Sequence, residues 1–147
     1  MSENTNPASN IEIAREYFKR LDARNPDVLK LFTDDVVFYY PKFGIGKGPN
    51  AVLEAMMGLG GIVERTEHDF ATYVLIASEN RLAVEGTTKG VLKNQERWAG
   101  GETPTGRFCN VFEFRDGLIS RLHIYLDPDY EGKFTEGFRW GREGRSW

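Results

Sequence analysis

Two long alternating segments near the end of the chain constrain the fold more than any other feature. They are 106-GRFCNVFEFR-115 and 118-LISRLHIYLD-127, in which apolar and polar side chains alternate as they do in strands with one buried face. Asp116 and Gly117, which separate the two segments, favour a tight two-residue hairpin turn. The sequence therefore predicts a long antiparallel hairpin whose apolar face other elements must cover.

The first part of the chain supplies helices that can cover this face. From Ile11 to Ala23, apolar side chains recur at helical spacing, with charged side chains on the opposite side. After the break at Asn25-Pro26, residues 27–33 predict a short second helix. A third helix is predicted over 50–59 and ends at Gly60-Gly61.

Other strands are predicted over 36–40, 67–78 and 81–92, where β-branched and aromatic residues are frequent. The glycine-rich 44–49 is predicted to be a loop, without the spacing of a phosphate-binding loop, and 93–105 a polar connection. Helices followed by a long meander predict an α+β domain, in which a strongly curved, mainly antiparallel sheet forms a cone around three N-terminal helices.

The chain has 147 residues, which suits one domain. Residues 1–9 are predicted to be a disordered lead, and Ser9 or Asn10 is expected to cap the first helix. The domain proper is expected to cover 10–130. The tail, 131–147, is expected to pack on or near the cone.

Charge and composition argue against several kinds of partner. Lys and Arg number 19 and Asp and Glu 22, for a net charge of −3, so no broad basic surface is expected for nucleic acid. No apolar run is long enough to cross a membrane. The single cysteine, Cys109, and the polar N-terminus predict a cytoplasmic protein. The aromatic content of 13% suits the lining of an apolar cavity.

The order of these elements resembles the nuclear transport factor 2-like superfamily, in particular its SnoaL-like and ketosteroid isomerase-like members. The resemblance covers roughly residues 10–130 and is carried by 14-AREYFKRLDARNPDVLKLFTDDVVFYYP-41, 104-PTGR-107 and 110-NVFEFRDGLISRLHIYLDP-128. It implies a cystatin-like cone around a pocket for a small apolar, cyclic molecule, and no cofactor. The same fold hosts different reactions in different members, so function depends on individual residues.

The acidic catalytic positions of three related families are not acidic here. Ketosteroid isomerases have an Asp base before a proline of the first strand, where this chain has Tyr40 before Pro41. Acidic positions of limonene epoxide hydrolases and SnoaL-like cyclases fall on residues such as Thr88 and Ile124. The resemblance therefore implies a binding protein that lacks the acidic catalytic residues of its best-known relatives.

The resemblance also implies three candidate catalytic residues. Tyr17 and Asn110 match the oxyanion donors of the isomerases, and His68 matches a histidine of the small phenazine-pathway proteins. An imidazole can act as a general base near neutral pH, and an amide can donate a hydrogen bond without a tuned pKa. The alternative function is a proton-transfer enzyme, an isomerase, cyclase or dehydratase, with His68 as base and Tyr17 and Asn110 as oxyanion donors.

Strand alternation divides the last strand between two faces. If Ile124 faces the cone, His123 and Tyr125 lie on the outer face, where with Val111 they predict a homodimer interface. Asp127 is expected at the pocket rim, and with only two histidines in the chain no metal site is expected. The residues expected to line the pocket are Phe38, Tyr40, Phe112, Phe114, Leu122, Ile124, Leu126 and Trp98.

Overall fold

The computed structural model describes residues 6–141 and 144–147. Three helices lie in the first part of the chain, as predicted. Helix α1 covers Pro7–Asp22, a 3-10 helix covers Pro26–Leu31, and helix α2 covers Pro49–Gly60. None of the helices in the described ranges is both long and apolar enough to span a bilayer.

Helix α1 begins earlier than the sequence predicted. The N-cap is Asn6, whose side chain accepts a hydrogen bond from a backbone N–H of the first turn at 3.1 Å. Pro7 follows at a position where a missing N–H costs nothing, and this pair is a stronger start signal than Ser9 or Asn10. The last part of the predicted disordered lead is therefore helical, and residues 1–5 lie outside the described part of the chain.

The described residues form eight strands, which are β1 Phe32–Tyr40, β2 Gly44–Lys47, β3 Val63–His68, β4 Val74–Ser78, β5 Arg81–Leu92, β6 Arg97–Ala99, β7 Arg107–Arg115 and β8 Leu118–Leu126. They form one sheet in the order β2-β1-β8-β7-β5-β3, with β4 and β6 also paired to β5. Every pairing is antiparallel except that of β1 with β8. The predicted α+β class and its mainly antiparallel curved sheet are confirmed.

The continuous strand predicted over 67–78 is wrong, because β3 and β4 are separate strands. β3 pairs with the second half of β5 and β4 with its first half. Between the two strands the chain leaves the edge of β5. A 3-10 turn at Phe70–Thr72 connects the two strands, and the hydroxyl of Thr72 donates to the carbonyl of Asp69 at 2.7 Å. His68 is consequently the last residue of β3 rather than part of a longer alternating strand.

The predicted loop over 44–49 is also partly wrong. Gly44–Lys47 pairs antiparallel with the end of β1 as strand β2. Glycine at position 46 lets this hairpin approach α2, since a Cβ there would stand 2.6 Å from the Cβ of Ala51. Within 93–105, Arg97–Ala99 forms the short strand β6 against β5.

The inner face of the sheet and the helices enclose an aromatic core. Alternate residues of β7 are buried, among them Phe108, Asn110 and Phe112. Helix α1 adds Tyr17 and Phe18, whose rings lie 5.6 and 6.2 Å from that of Phe112. The centre of the cone is therefore filled with side chains.

The outer face carries a row of mainly apolar residues, which we call the outer belt. Each member lies directly opposite the next on the neighbouring strand, across β2, β1, β8, β7, β5 and β4. Their side chains therefore share one face. Its two ends are the most exposed, at 66% for Ile45 and 65% for Ile76. The belt consists of Ile45, Tyr39, His123, Val111, Ala83 and Ile76.

Candidate functional site

A cleft of about 1220 Å³ opens at the end of the sheet where β1 and β8 finish. One wall is the second half of α2, with Ala55 and Leu59, and another is the C-terminal segment, with Phe134 and Phe138. Pockets for small molecules in proteins are typically of about 300–1,000 Å³ and mainly apolar. The cleft is thus large enough for a ring-containing molecule.

Two tyrosine hydroxyls meet in this cleft. Those of Tyr40 and Tyr130 lie 3.0 Å apart, within hydrogen-bond distance. Burial raises the pKa of Tyr40 above the ordinary tyrosine range, and the neighbouring Tyr130 and Tyr17 raise it further. Burial also raises the pKa of Tyr130. Both hydroxyls therefore keep their protons at neutral pH.

Local sequence explains how the two tyrosines reach the same place. Tyr40 is the last residue of β1, which Pro41 ends. Beyond β8, Asp129 accepts hydrogen bonds from the backbone N–H groups of Lys133 and Phe134 at 3.1 and 3.0 Å. This turn holds Tyr130 against the end of the sheet.

Trp98 packs against Tyr130 and does not line the cleft, although the sequence analysis expected it to do so. It is 2% exposed and packs with Val63 and Leu92 in a second small cluster. Its indole N–H donates to the Thr88 hydroxyl at 2.9 Å, and its ring lies 4.7 Å from that of Tyr130. The physical reason is Gly90, whose bare backbone leaves room for the indole on the sheet.

The structure divides the other expected pocket residues into two groups. Leu126, like Tyr40, lines the cleft, and Asp127 lies at its edge, where its carboxylate accepts the backbone N–H of Asp129 at 2.9 Å. The remaining residues are packed into the closed core on the inner face of their strands. They are Phe38, Phe112, Phe114, Leu122 and Ile124.

His68 is held by a carboxylate from helix α1. Its ring Nδ1 lies 2.6 Å from Oδ1 of Asp22, and its backbone N–H donates to Oδ2 of the same side chain at 2.7 Å. The ring packs 4.8 Å from Phe18 and 5.7 Å from Phe108. It also borders a shallow polar groove of about 460 Å³.

Tyr17 and Asn110 lie deeper in the core. Burial raises the pKa of Tyr17 above its ordinary range, and Asp22 raises it further. Asn110 is 3% exposed, and its side-chain carbonyl accepts no hydrogen bond from the described residues. The rings of Tyr17 and His68 both adjoin Phe18, and Tyr17, His68 and Asn110 are all absent from the lining of the cleft.

Sequence reasoning did not identify Asp22 or Tyr130. A signal for Asp22 existed, because it continues the buried stripe of α1 that contains Tyr17, Phe18 and Leu21, and a carboxylate in such a stripe needs a partner. No comparable signal existed for Tyr130, which follows the last strand in an irregular segment.

Two other features limit the chemistry at these sites. Cys109 is half-buried, and burial raises the pKa of its thiol, which disfavours the reactive thiolate. Within the described ranges, no group of three or more His, Cys, Asp or Glu side chains is arranged to hold a metal ion.

A cone-shaped α+β domain with a cleft at its open end is the architecture of nuclear transport factor 2-like proteins. The chain belongs to the SnoaL-like domain family, whose model matches residues 14–122. No curated protein sequence gives a significant match.

Solved structures with low sequence identity share the fold. An NTF2-like protein of unknown function from Burkholderia pseudomallei K96243 is 21% identical, with a TM-score of 0.67 over 81% of this chain and 91% of that one. A proposed polyketide cyclase from Xanthomonas campestris pv. campestris is 16% identical, with a TM-score of 0.71 over 82% and 92%. An LEH-like epoxide hydrolase from M. tuberculosis is 19% identical, with a TM-score of 0.63 over 90% and 93%. At these identities the similarity shows the fold alone.

Proposed function

We propose that the protein binds a small, mainly apolar, ring-containing molecule in the cleft between α2 and the C-terminal segment. The observation that carries this proposal is the size of the cleft together with its aromatic lining, which includes Phe43, Phe134 and Phe138. Phe134 and Phe138 are 72% and 62% exposed, and contact with an apolar ligand would remove this surface from water. The similarity in fold to a proposed polyketide cyclase is in keeping with a cyclic ligand.

The hydroxyl pair of Tyr40 and Tyr130 suggests what polar group the ligand carries. Two hydroxyls joined by one hydrogen bond use one of their two protons, so the second proton is free to be donated. Their raised pKa values keep that donor protonated. The preferred ligand is therefore an aromatic or alicyclic molecule with a carbonyl or another hydrogen-bond acceptor.

Two naphthalene derivatives test this proposal. We expect 2-acetylnaphthalene, which carries a ketone, to bind saturably and more tightly than 2-ethylnaphthalene, which has no acceptor. In the double variant Tyr40→Phe/Tyr130→Phe, the affinity for the ketone should fall about tenfold, because a hydrogen bond contributes about 0.5–1.5 kcal/mol. The affinity for the hydrocarbon should change little. Titration followed by intrinsic protein fluorescence measures both.

The matched control is Tyr39→Phe/Tyr125→Phe, which removes two hydroxyls from the outer face. This variant should bind both compounds as the wild-type protein does. Absence of saturable binding, or equal losses in the two double variants, would contradict a ligand site in the cleft.

A second candidate function is proton transfer, with His68 as the base and Tyr17 and Asn110 as oxyanion donors. It is favoured by the contact of Asp22 with His68. Proton exchange at the carbon beside the carbonyl of 2-tetralone, followed by NMR in deuterated water, tests it. His68→Ala should slow this exchange by about 10²-fold or more, and exchange no faster than in buffer would rule the function out for this class of ketone.

We also propose that a second copy of the chain covers the outer belt. The belt is flanked by two charged rows, with Arg81, Glu113 and Arg121 on one side, where Arg81 pairs with Glu113 at 3.0 Å, and Glu85 on the other. A two-fold axis along the belt would place the row with a net positive charge in each copy against the acidic row of the other. A homodimer would thereby bury the exposed ends of the belt.

A further inference from the structure

We infer that Asp22 is a positioning residue that fixes His68 as the tautomer with its proton on Nδ1, so that the lone pair of Nε2 is free to accept a proton. This inference rests on the second candidate function for its chemical consequence, because a general base needs an unprotonated nitrogen. Its structural content can be measured without any substrate.

The carboxylate of Asp22 contacts His68 with both of its oxygens. Oδ2 accepts the backbone N–H of His68 at 2.7 Å, and Oδ1 lies 2.6 Å from the ring Nδ1. An ionised carboxylate can only accept hydrogen bonds, so the shared proton must be on Nδ1. The neutral ring then has its lone pair on Nε2, which makes no hydrogen bond to any residue that the structure describes.

Packing restricts the ring to this arrangement. Only 9% of the His68 side chain is exposed. The rings of Phe18, Tyr73 and Phe108 lie 4.8, 6.5 and 5.7 Å from it. The ring cannot turn over without displacing these neighbours, so the tautomer and the orientation are set together.

His123, the other histidine of the chain, is an internal reference with the opposite geometry. The guanidinium of Arg121 donates to its Nδ1 at 3.1 Å. Because a guanidinium can only donate, Nδ1 of His123 is an acceptor and the proton of its neutral ring is on Nε2. The two histidines are therefore expected to be opposite tautomers.

The variant Asp22→Asn should invert the tautomer of His68. The backbone N–H of His68 needs an acceptor, so the amide oxygen takes the place of Oδ2 and the amide nitrogen takes the place of Oδ1. An amide nitrogen donates, which makes Nδ1 the acceptor and moves the ring proton to Nε2. The base would thus become a donor without any change in the size of the side chain at position 22.

Long-range ¹H–¹⁵N correlation NMR of the full chain, labelled with ¹⁵N-histidine, reads both tautomers at a pH where the rings are neutral. We expect Nδ1–H for His68 and Nε2–H for His123 in the wild-type protein, and Nε2–H for both in Asp22→Asn. Asp27→Asn, the same change at the exposed start of the 3-10 helix, is the control and should leave both signals as they are. His68→Gln assigns the signals.

Three outcomes would overturn the inference: His68 protonated on Nε2 in the wild-type protein, a rapidly exchanging mixture of tautomers there, or an Nδ1–H tautomer that persists in folded Asp22→Asn. If that variant does not fold, as judged by near-UV circular dichroism, the wild-type spectrum alone decides. The 2-tetralone assay separates the two proposals. If the tautomers are as predicted but 2-tetralone does not exchange, the inference stands and proton transfer is ruled out for this class of ketone. If 2-tetralone exchanges but His68 is the other tautomer, the inference is wrong and the enzyme function stands.

Discussion

Asn110 places an amide in the aromatic wall of the core. It lies between Phe108 and Phe112 on the inner face of β7, and its cross-strand neighbours are Val84 and Ile124. A buried carbonyl without a donor costs about 1–3 kcal/mol. The unpaired carbonyl of Asn110 is therefore a reason to look for a ligand or a water molecule that donates a hydrogen bond to it.

Replacing this amide with a hydrocarbon should stabilise the empty protein. We expect Asn110→Leu to raise the free energy of unfolding by about 1 kcal/mol, because it removes an unsatisfied polar atom at similar volume. Urea denaturation followed by circular dichroism measures the change. If Asn110 is an oxyanion donor, the same variant should also slow 2-tetralone exchange by about 10²–10³-fold.

Asn10→Leu is the matched control, because Asn10 is also buried but its amide donates to the carbonyl of Glu79 at 3.5 Å. It should gain no stability. A loss of stability in Asn110→Leu together with unchanged exchange would identify Asn110 as a structural amide.

The sequence located some site residues and missed others for a physical reason. Tyr17, His68 and Asn110 were identified through the family resemblance, which matches positions on elements that the local pattern reveals. Asp22 and Tyr130 act through partners 46 and 90 residues away. The stripe of α1 could indicate that Asp22 needs a partner, but no local pattern indicates which residue that partner is. The partners became visible only when the sheet brought them together.

Among the elements, β5 depends on glycines that let aromatic rings lie on its backbone. At Gly90 a Cβ would stand 2.1 Å from the Trp98 ring and 2.3 Å from the carbonyl of Arg65. At Gly86 it would stand 2.2 Å from the ring of Tyr73. These two rings cover β5 near the place where its partner changes from β4 to β3.

Gly90→Ala should therefore destabilise the fold by about 1–3 kcal/mol, the usual cost of forcing a methyl group into a packed site. The matched control is Gly58→Ala in α2, where nothing lies within 4 Å of the new Cβ. That variant should gain about 0.5–1 kcal/mol from helix propensity. Thermal unfolding of both variants measures the difference, and equal melting temperatures would contradict close packing at Gly90.

The same elements show which parts of the fold can be predicted. The β7–β8 hairpin and α1 have long, regular periods; the hairpin and the end of α1 were predicted with nearly correct bounds, whereas α1 begins at Pro7 instead of Ile11. The strand over 67–78 was drawn as one because its β-branched and aromatic residues run on without a strong turn signal. What divides it is the 3-10 turn at Phe70–Thr72, which carries the chain from the second half of β5, where β3 pairs, to its first half, where β4 pairs. This is a tertiary effect that overrides local propensity.

At the scale of the whole molecule, the outer belt predicts a homodimer. Tyr125→Asp should shift the protein towards the monomer, because Tyr125 is 48% exposed beside the belt and a charge there would have to be buried in the interface. Sedimentation velocity at micromolar concentration measures the shift. Met57→Asp is the control, since Met57 is 70% exposed on α2 and away from the belt. A wild-type monomer, or equal effects of both variants, would contradict the dimer.

The hydrogen bond between Tyr40 and Tyr130 means that the rigidity of the cleft depends on the C-terminal segment. The cleft is closed by a segment that follows the last strand, so its final wall is held by a few hydrogen bonds and by the packing of the Tyr130 ring against that of Trp98. A molecule bound there would contact this wall, and by mass action it would stabilise the closed wall by an amount that grows with the logarithm of one plus the ratio of ligand concentration to Kd. Slower amide hydrogen exchange over 130–138 would therefore report occupancy of the cleft even before the ligand is known.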